Sequence, residues 1–234
     1  MGIGEPLNNY EQVMKAIRIL RDRRGMNFPT TGITLSSIGI PKALAQLREE
    51  HLAINLTISL HATTQEVRDR LIPGSRKHDI NEVIARASSW AERHNRIVTF
   101  VYLVLPGIND TLADAKRLAG LMNKRRARVN LMRWNPVDGI ALDRTSDRSL
   151  GLFREMLDRA GVAGGGAGYT GTGYFGSMRS ALVCAICAAS LSRNVEPRRR
   201  PHSRSAGCGV REDMRTTRSD QVKRCSGRAY LSCR

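Results

Sequence analysis

The sequence predicts an α/β fold for residues 1–163, a partial parallel (β/α) barrel, and a largely disordered basic tail for residues 164–234. Three observations point there. Strand-length runs that are apolar almost throughout alternate with helical stretches, as in a parallel sheet covered on both faces. There are five or so such units, fewer than a closed barrel needs. After about Val162 the periodicity stops while positive charge continues.

The elements follow in order. Asn8–Arg24 carries Val13, Ala16, Ile17, Ile19 and Leu20 at helical spacing. Gly32–Ile40 is rich in strand formers, and Pro41–Glu50 opens a helix with proline in its first turn. Leu52–His61 has the length and apolarity of a strand, and a short helix is expected from Thr64 to Leu71. Asp79–Asn95 reads as a helix with Asp79 as N-cap. Ile97–Leu105 is a strand, Thr111–Arg125 a helix, Ala127–Trp134 a strand and Ser146–Ala160 a helix. Beyond them, Gly164-Gly165-Gly166-Ala167-Gly168 and Gly171-Thr172-Gly173 show no period. Ala181–Leu191 has the makings of one short helix, and Arg198-Arg199-Arg200 lies in an Arg/Ser-rich stretch with no core pattern.

A chain of 234 residues is long enough for one or two domains with a sizeable core, although only 5% of it is aromatic. The net charge of +17 suggests a polyanionic partner such as nucleic acid. Residues 1–163 contribute +8 and the much shorter tail +9. All five cysteines (Cys184, Cys187, Cys208, Cys225 and Cys233) fall in the tail. An odd number without a signal peptide does not read as a secreted disulfide framework. No run of about 18 apolar residues suggests a membrane span, so a cytoplasmic monomer with no membrane partner is expected.

Polar residues recur where the strands end, which is where parallel barrels keep their ligand sites. Glu5 follows Gly2 and Gly4 and precedes Pro6. Its carboxylate suits the ammonium of an amino-acid ligand, or it sits in an ordinary β/α turn. Ser36 and Ser37 end one strand, and Ser59 and His61 the next. Their hydroxyls and imidazole suit a carboxylate and a ribose; His61 is equally a packed or N-capping residue. Asn135, between Trp134 and Pro136, offers an amide to a base or ribose, or simply forms a turn.

The segments GIGEPLNNY, TLSSIGIPK, ISLHATTQEVRDRLIP, VTFVYLVLPGIND and VNLMRWNPVDG resemble the radical S-adenosylmethionine adenine C-2 methyltransferases of ribosomal and transfer RNA. The resemblance spans about residues 1–163. It implies the partial barrel of the radical S-adenosylmethionine enzymes, with S-adenosylmethionine and a 4Fe-4S cluster as cofactors. It also implies 23S ribosomal RNA and transfer RNA as partners. The cofactor contacts it implies are Gly4, Glu5, Ser36, Ser59, Leu60, His61 and Asn135.

Some departures qualify that reading. The family's CxxxCxxC cluster motif precedes its Gly-Glu-Pro segment, and this chain has no cysteine before Cys184. Cys184-Ala185-Ile186-Cys187 offers only two of the three thiolates a cluster takes. The family's upstream glutamate and its C-terminal Cys-Gly-Gln-Leu segment are also missing. Val101 stands where the family often has glutamate, and Arg133 precedes Trp134. Met178–Leu182 can be encoded so that a one-base shift reads Cys-Gly-Gln-Leu, which suggests that residues after about Val162 are out of frame. The expectation is an inactive fragment with no catalytic residue and no metal ligand, on which the cluster does not assemble. The rivals are the sister activity at adenine C-8 and a non-catalytic basic RNA-binding fragment.

Overall fold

The computed structural model describes residues 4–136 and 142–162 and the backbone of residues 229–231. A 3₁₀ turn at Pro6–Asn9, capped by Glu5, leads into α1 (Tyr10–Arg21). Then come β1 (Ile33–Ser37), α2 (Pro41–Glu49), β2 (Asn55–Ser59), α3 (Gln65–Leu71) and α4 (Ile80–Arg93). They are followed by β3 (Val98–Val104), α5 (Leu112–Met122), β4 (Ala127–Arg133), α6 (Asp147–Arg159) and β5 (Ala229–Leu231). The strands form one sheet in the order β4-β3-β2-β1-β5, and every pairing is parallel. Apart from β5, the expected disorder of residues 164–234 falls outside the described residues.

Side-chain caps start the helices where the sequence suggested. Thr64 accepts from Val67 N–H, and Asp79 from the amides of Asn81 and Glu82. Thr111 and Asp114 form a reciprocal capping box on α5, and Ser146 caps α6. Each such cap is worth about 1 kcal/mol because it satisfies donors the helix leaves open.

Register decides which face each strand residue occupies. Leu35 pairs with Leu56, Ile58 with Phe100, and Phe100 with Val129, all on one face. These residues share the main core with Met14 and Ile17 of α1, Leu44 and Leu47 of α2, Val83 and Ile84 of α4, Leu118 of α5 and Phe153 of α6. The alternate residues form the other face, on which none of the described main-core helices packs. Ser36, Thr57, Thr99 and Arg128 stand in one register row and are only half-buried. A partial barrel keeps its helices outside and leaves its concave side for something else.

One end of that concave side is closed. Leu71 at the end of α3 and the adjoining Ile72 pack with Leu103, Leu105 and Trp134 in a second, smaller cluster. Leu103 pairs with Met132 on the same face as Thr99 and Arg128. So α3 lies across the C-terminal ends of the strands instead of in the outer helical layer.

Candidate functional site

Glu5 is built into the end of β1. Its Oε1 accepts from Leu7 N–H at 3.0 Å and from the Ser37 hydroxyl at 2.7 Å. Its Oε2 accepts from Ile38 N–H at 2.8 Å. Three of a carboxylate's roughly four acceptor positions are therefore used within the protein. Ser37 Oγ also accepts from Gly39 N–H at 2.8 Å. Gly39 has φ +84°, and a Cβ there would collide with Val83 Cγ1, so this loop fits against α4 only as glycine. Gly4, at φ +123°, turns the chain into Glu5.

The paired serines divide the work. Ser37 is buried and holds Glu5, while Ser36 faces the concave side. Ser59 is half-buried on that same side, in register with Val101 and, through it, with Asn130. Leu60 is fully buried in the main core, and its N–H donates to Val101 O at 3.0 Å. The Leu60 side chain therefore packs in the core, and its backbone lies at the end of β2.

His61 is a tie between strand ends. Its Nδ1 accepts from Leu103 N–H at 3.1 Å, and its carbonyl accepts from Asn109 Nδ2 at 2.7 Å. Accepting at Nδ1 puts the proton of the neutral ring on Nε2. Burial, and then the nearby Arg68 charge, push its pKa down to about 4, so the ring is neutral at pH 7. Its φ of +55° is uncommon for a residue with a side chain, and such strain gathers at functional sites.

Asn135 is exposed just after β4. Trp134 beside it is buried, with its N–H donating to Thr145 Oγ1 at 3.2 Å and its indole to Leu142 O at 3.3 Å. Ser36, Ser59, His61 and Asn135 thus stand at or just beyond the C-terminal ends of β1, β2 and β4, and Glu5 is bonded to the end of β1.

Sequence reasoning missed Thr57, Thr99, Arg128, Asn130 and Asn109. Arg128 Nε donates to Thr99 Oγ1 at 3.0 Å on the concave face. Asn109 Oδ1 accepts from Leu105 N–H at 2.7 Å, and Nδ2 also donates to Leu103 O at 2.8 Å. The alternation of Asn55, Thr57 and Ser59 with Leu56 and Ile58 was the available signal. Arg68 of α3 was not singled out either. It is fully buried, donates through Nη2 to Ile38 O, and leaves Nε and Nη1 without a partner. Burial lowers its pKa to about 10, against the opposing pull of Asp69 and Asp79.

Hydroxyls and amides on an open concave face, beside orphaned buried donors, fit a polar ligand bearing ribose and charged groups. An iron–sulfur cluster is a different matter. The described residues include no cysteine and no group of three His, Cys, Asp or Glu placed to hold a metal. They do not fit a cluster. Among the described residues, no helix is long and apolar enough to cross a membrane.

No family model matches the chain. It is 78% identical over 160 residues to a "Probable RNA methyltransferase" of Rhodopseudomonas palustris (strain BisB5), covering 68% of this chain and 45% of that protein. It is 41% identical over 162 residues to a "Probable dual-specificity RNA methyltransferase RlmN" of Dictyoglomus turgidum, covering 69% and 47%. The crystal structure of a radical SAM methyltransferase from Sphaerobacter thermophilus superposes with a TM-score of 0.66 at 36% identity, over 69% of this chain and 48% of that one. The chain spans about half the length of the relatives it matches. Sequence and fold agree that it carries an RlmN-like radical SAM methyltransferase segment, which makes up about 69% of its length.

Proposed function

We propose that residues 4–162 bind and orient S-adenosylmethionine for methylation of adenine C-2 in ribosomal and transfer RNA. Glu5 takes the ammonium with its remaining acceptor position, next to the turn that Gly4 makes. Ser36 and Ser59 meet the ribose and polar groups from the concave face. His61 and the Leu60 backbone hold the strand ends in register, and Asn135 offers its amide at the far edge. The observation that carries this reading is the row of half-buried hydroxyls on the face of the sheet opposite the main core. A sheet built only for stability has no reason to leave them there.

The described residues do the binding and orienting; a cluster would need thiolates from elsewhere. With no cysteine before Cys184, the 234-residue polypeptide is proposed to assemble no 4Fe-4S cluster and to methylate no RNA alone. Anaerobic reconstitution with iron and sulfide tests this. No charge-transfer absorbance and no tritium transfer to RNA are expected, alongside measurable retention of labelled S-adenosylmethionine in equilibrium dialysis. A stoichiometric cluster with turnover overturns the inactivity, and failure to retain the cofactor overturns the binding role. A second reading, an RNA-associating piece without chemistry, is favoured by the net charge of +17. Salt-sensitive RNA binding without cofactor retention would select it.

A further inference from the structure

We propose that Arg68 is the carboxylate-binding residue of the rim: its unmet N–H donors take the α-carboxylate of the amino-acid ligand that Glu5 meets from the other side. This rests on the S-adenosylmethionine reading above and assigns one subsite within it.

The argument starts from donor count. A guanidinium carries five N–H donors and no acceptor, and removing it from water is unfavourable unless those donors are met. Arg68 is fully buried, yet one contact is present, from Nη2 to the carbonyl of Ile38; Nε and Nη1 have none. Among the described residues, no carboxylate forms an ion pair or hydrogen bond with it. The two acids that act on it electrostatically are Asp69 and Asp79. Asp69 accepts from Gln65 Nε2, and Asp79 caps α4 by accepting from Asn81 and Glu82. His61 beside it accepts a backbone hydrogen bond and stays neutral.

Placement then selects the ligand. Arg68 and Glu5 bracket the same residue: Ile38 gives its N–H to the Glu5 carboxylate and its C=O to the Arg68 guanidinium. The backbone of Ile38, just past β1, thus joins a carboxylate with a spare acceptor position to a guanidinium with unmet donors. That pairing is complementary to a zwitterionic ammonium–carboxylate head, where a guanidinium binds the carboxylate through parallel charge-assisted hydrogen bonds. The helix that carries Arg68 lies across the rim, since Leu71 and Ile72 pack on Leu103, Leu105 and Trp134. The free donors have no contact with solvent, so the assignment requires α3 to move from the rim to admit the carboxylate.

Equilibrium dialysis of the full chain, with labelled S-adenosylmethionine and with its decarboxylated analogue, tests the assignment. The two ligands differ in the carboxylate alone. The wild-type chain should prefer the carboxylated ligand by about 10-fold or more, as expected for losing a charge-assisted contact. Arg68→Met, apolar and of similar length, should bring the two affinities within about twofold of each other, and Arg68→Lys should keep part of the preference. Full preference in Arg68→Met overturns the proposal and leaves the cofactor reading standing. So does equal binding of the two ligands by the wild type, a comparison that needs no variant to fold. Binding of neither ligand by the wild type overturns both.

Discussion

On the outer face of the sheet, Leu35, Leu56, Ile58, Phe100 and Tyr102 are at most 1% exposed, and five helices cover them. On the concave face, Ser36, Thr57, Ser59 and Thr99 alternate with them and are polar and half-buried, while Val101 and Leu103 of β3 are buried there. The same strands serve both faces, because successive side chains point to opposite sides. Fully burying one large apolar side chain contributes about 1.5–3 kcal/mol, so the outer face carries the stability. On the concave face, apolar burial is confined to β3 and the smaller cluster under α3, and its polar row contributes less to holding the fold. Where the two meet, at the end of β1, Ser37 and Ser36 show the division within one dipeptide.

Substitutions on the two faces should therefore separate stability from binding. The largest loss is expected for Phe100→Ala, which opens a cavity in the main core: about 3–5 kcal/mol, read from chemical denaturation. Retained stability would break the claim that the outer face dominates. Gly39→Ala should follow at about 2–4 kcal/mol, combining a left-handed backbone with a collision against Val83 in the core. Glu5→Gln removes the charge from three hydrogen bonds and should cost about 1–3 kcal/mol while also weakening S-adenosylmethionine retention. That double effect marks Glu5 as belonging to both faces. Ser36→Ala should leave stability within about 0.5 kcal/mol yet reduce cofactor retention several-fold, whereas Ser37→Ala should lower stability through Glu5. Equal behaviour of the two serines would dissolve the comparison.

The pH dependence sharpens it further. His61 has a folded-state pKa of about 4, below its ordinary 6.5. Between those values the unfolded chain binds a proton that the folded chain does not. Stability is therefore full above about pH 6.5 and falls as pH drops toward 4. His61→Gln should flatten that acid limb in thermal melts recorded from pH 7 to pH 4. An unchanged slope would show that His61 is not the group responsible.

Much of this was legible in the chain. Each of the first four strands and each of the six helices stands within a few residues of its expected span, because helix caps such as Thr64, Asp79, Thr111 and Ser146 are local signals. The site was legible as a place, since Ser36, Ser59, His61 and Asn135 follow strand patterns. Its division of labour was not. Leu60 stood in the same motif as Ser59 and His61, yet strand alternation sends it into the core. Arg68 carries no signal in the sequence that sets it apart from Arg70; packing on Leu103 and Trp134 turns α3 inward.

The sequence by itself determined the order of elements, the parallel α/β class, the approximate helix starts with Asp79 as a cap, and the cysteine content, since these depend on residues near one another or on simple counts. Tertiary structure alone decided which of two adjacent serines meets Glu5, that His61 is held neutral, and that Glu5 and Arg68 both bond the backbone of Ile38. Those outcomes depend on groups 30 or more residues apart, brought together by the register of a parallel sheet. A one-residue shift in that register would exchange the two faces and every role assigned to them.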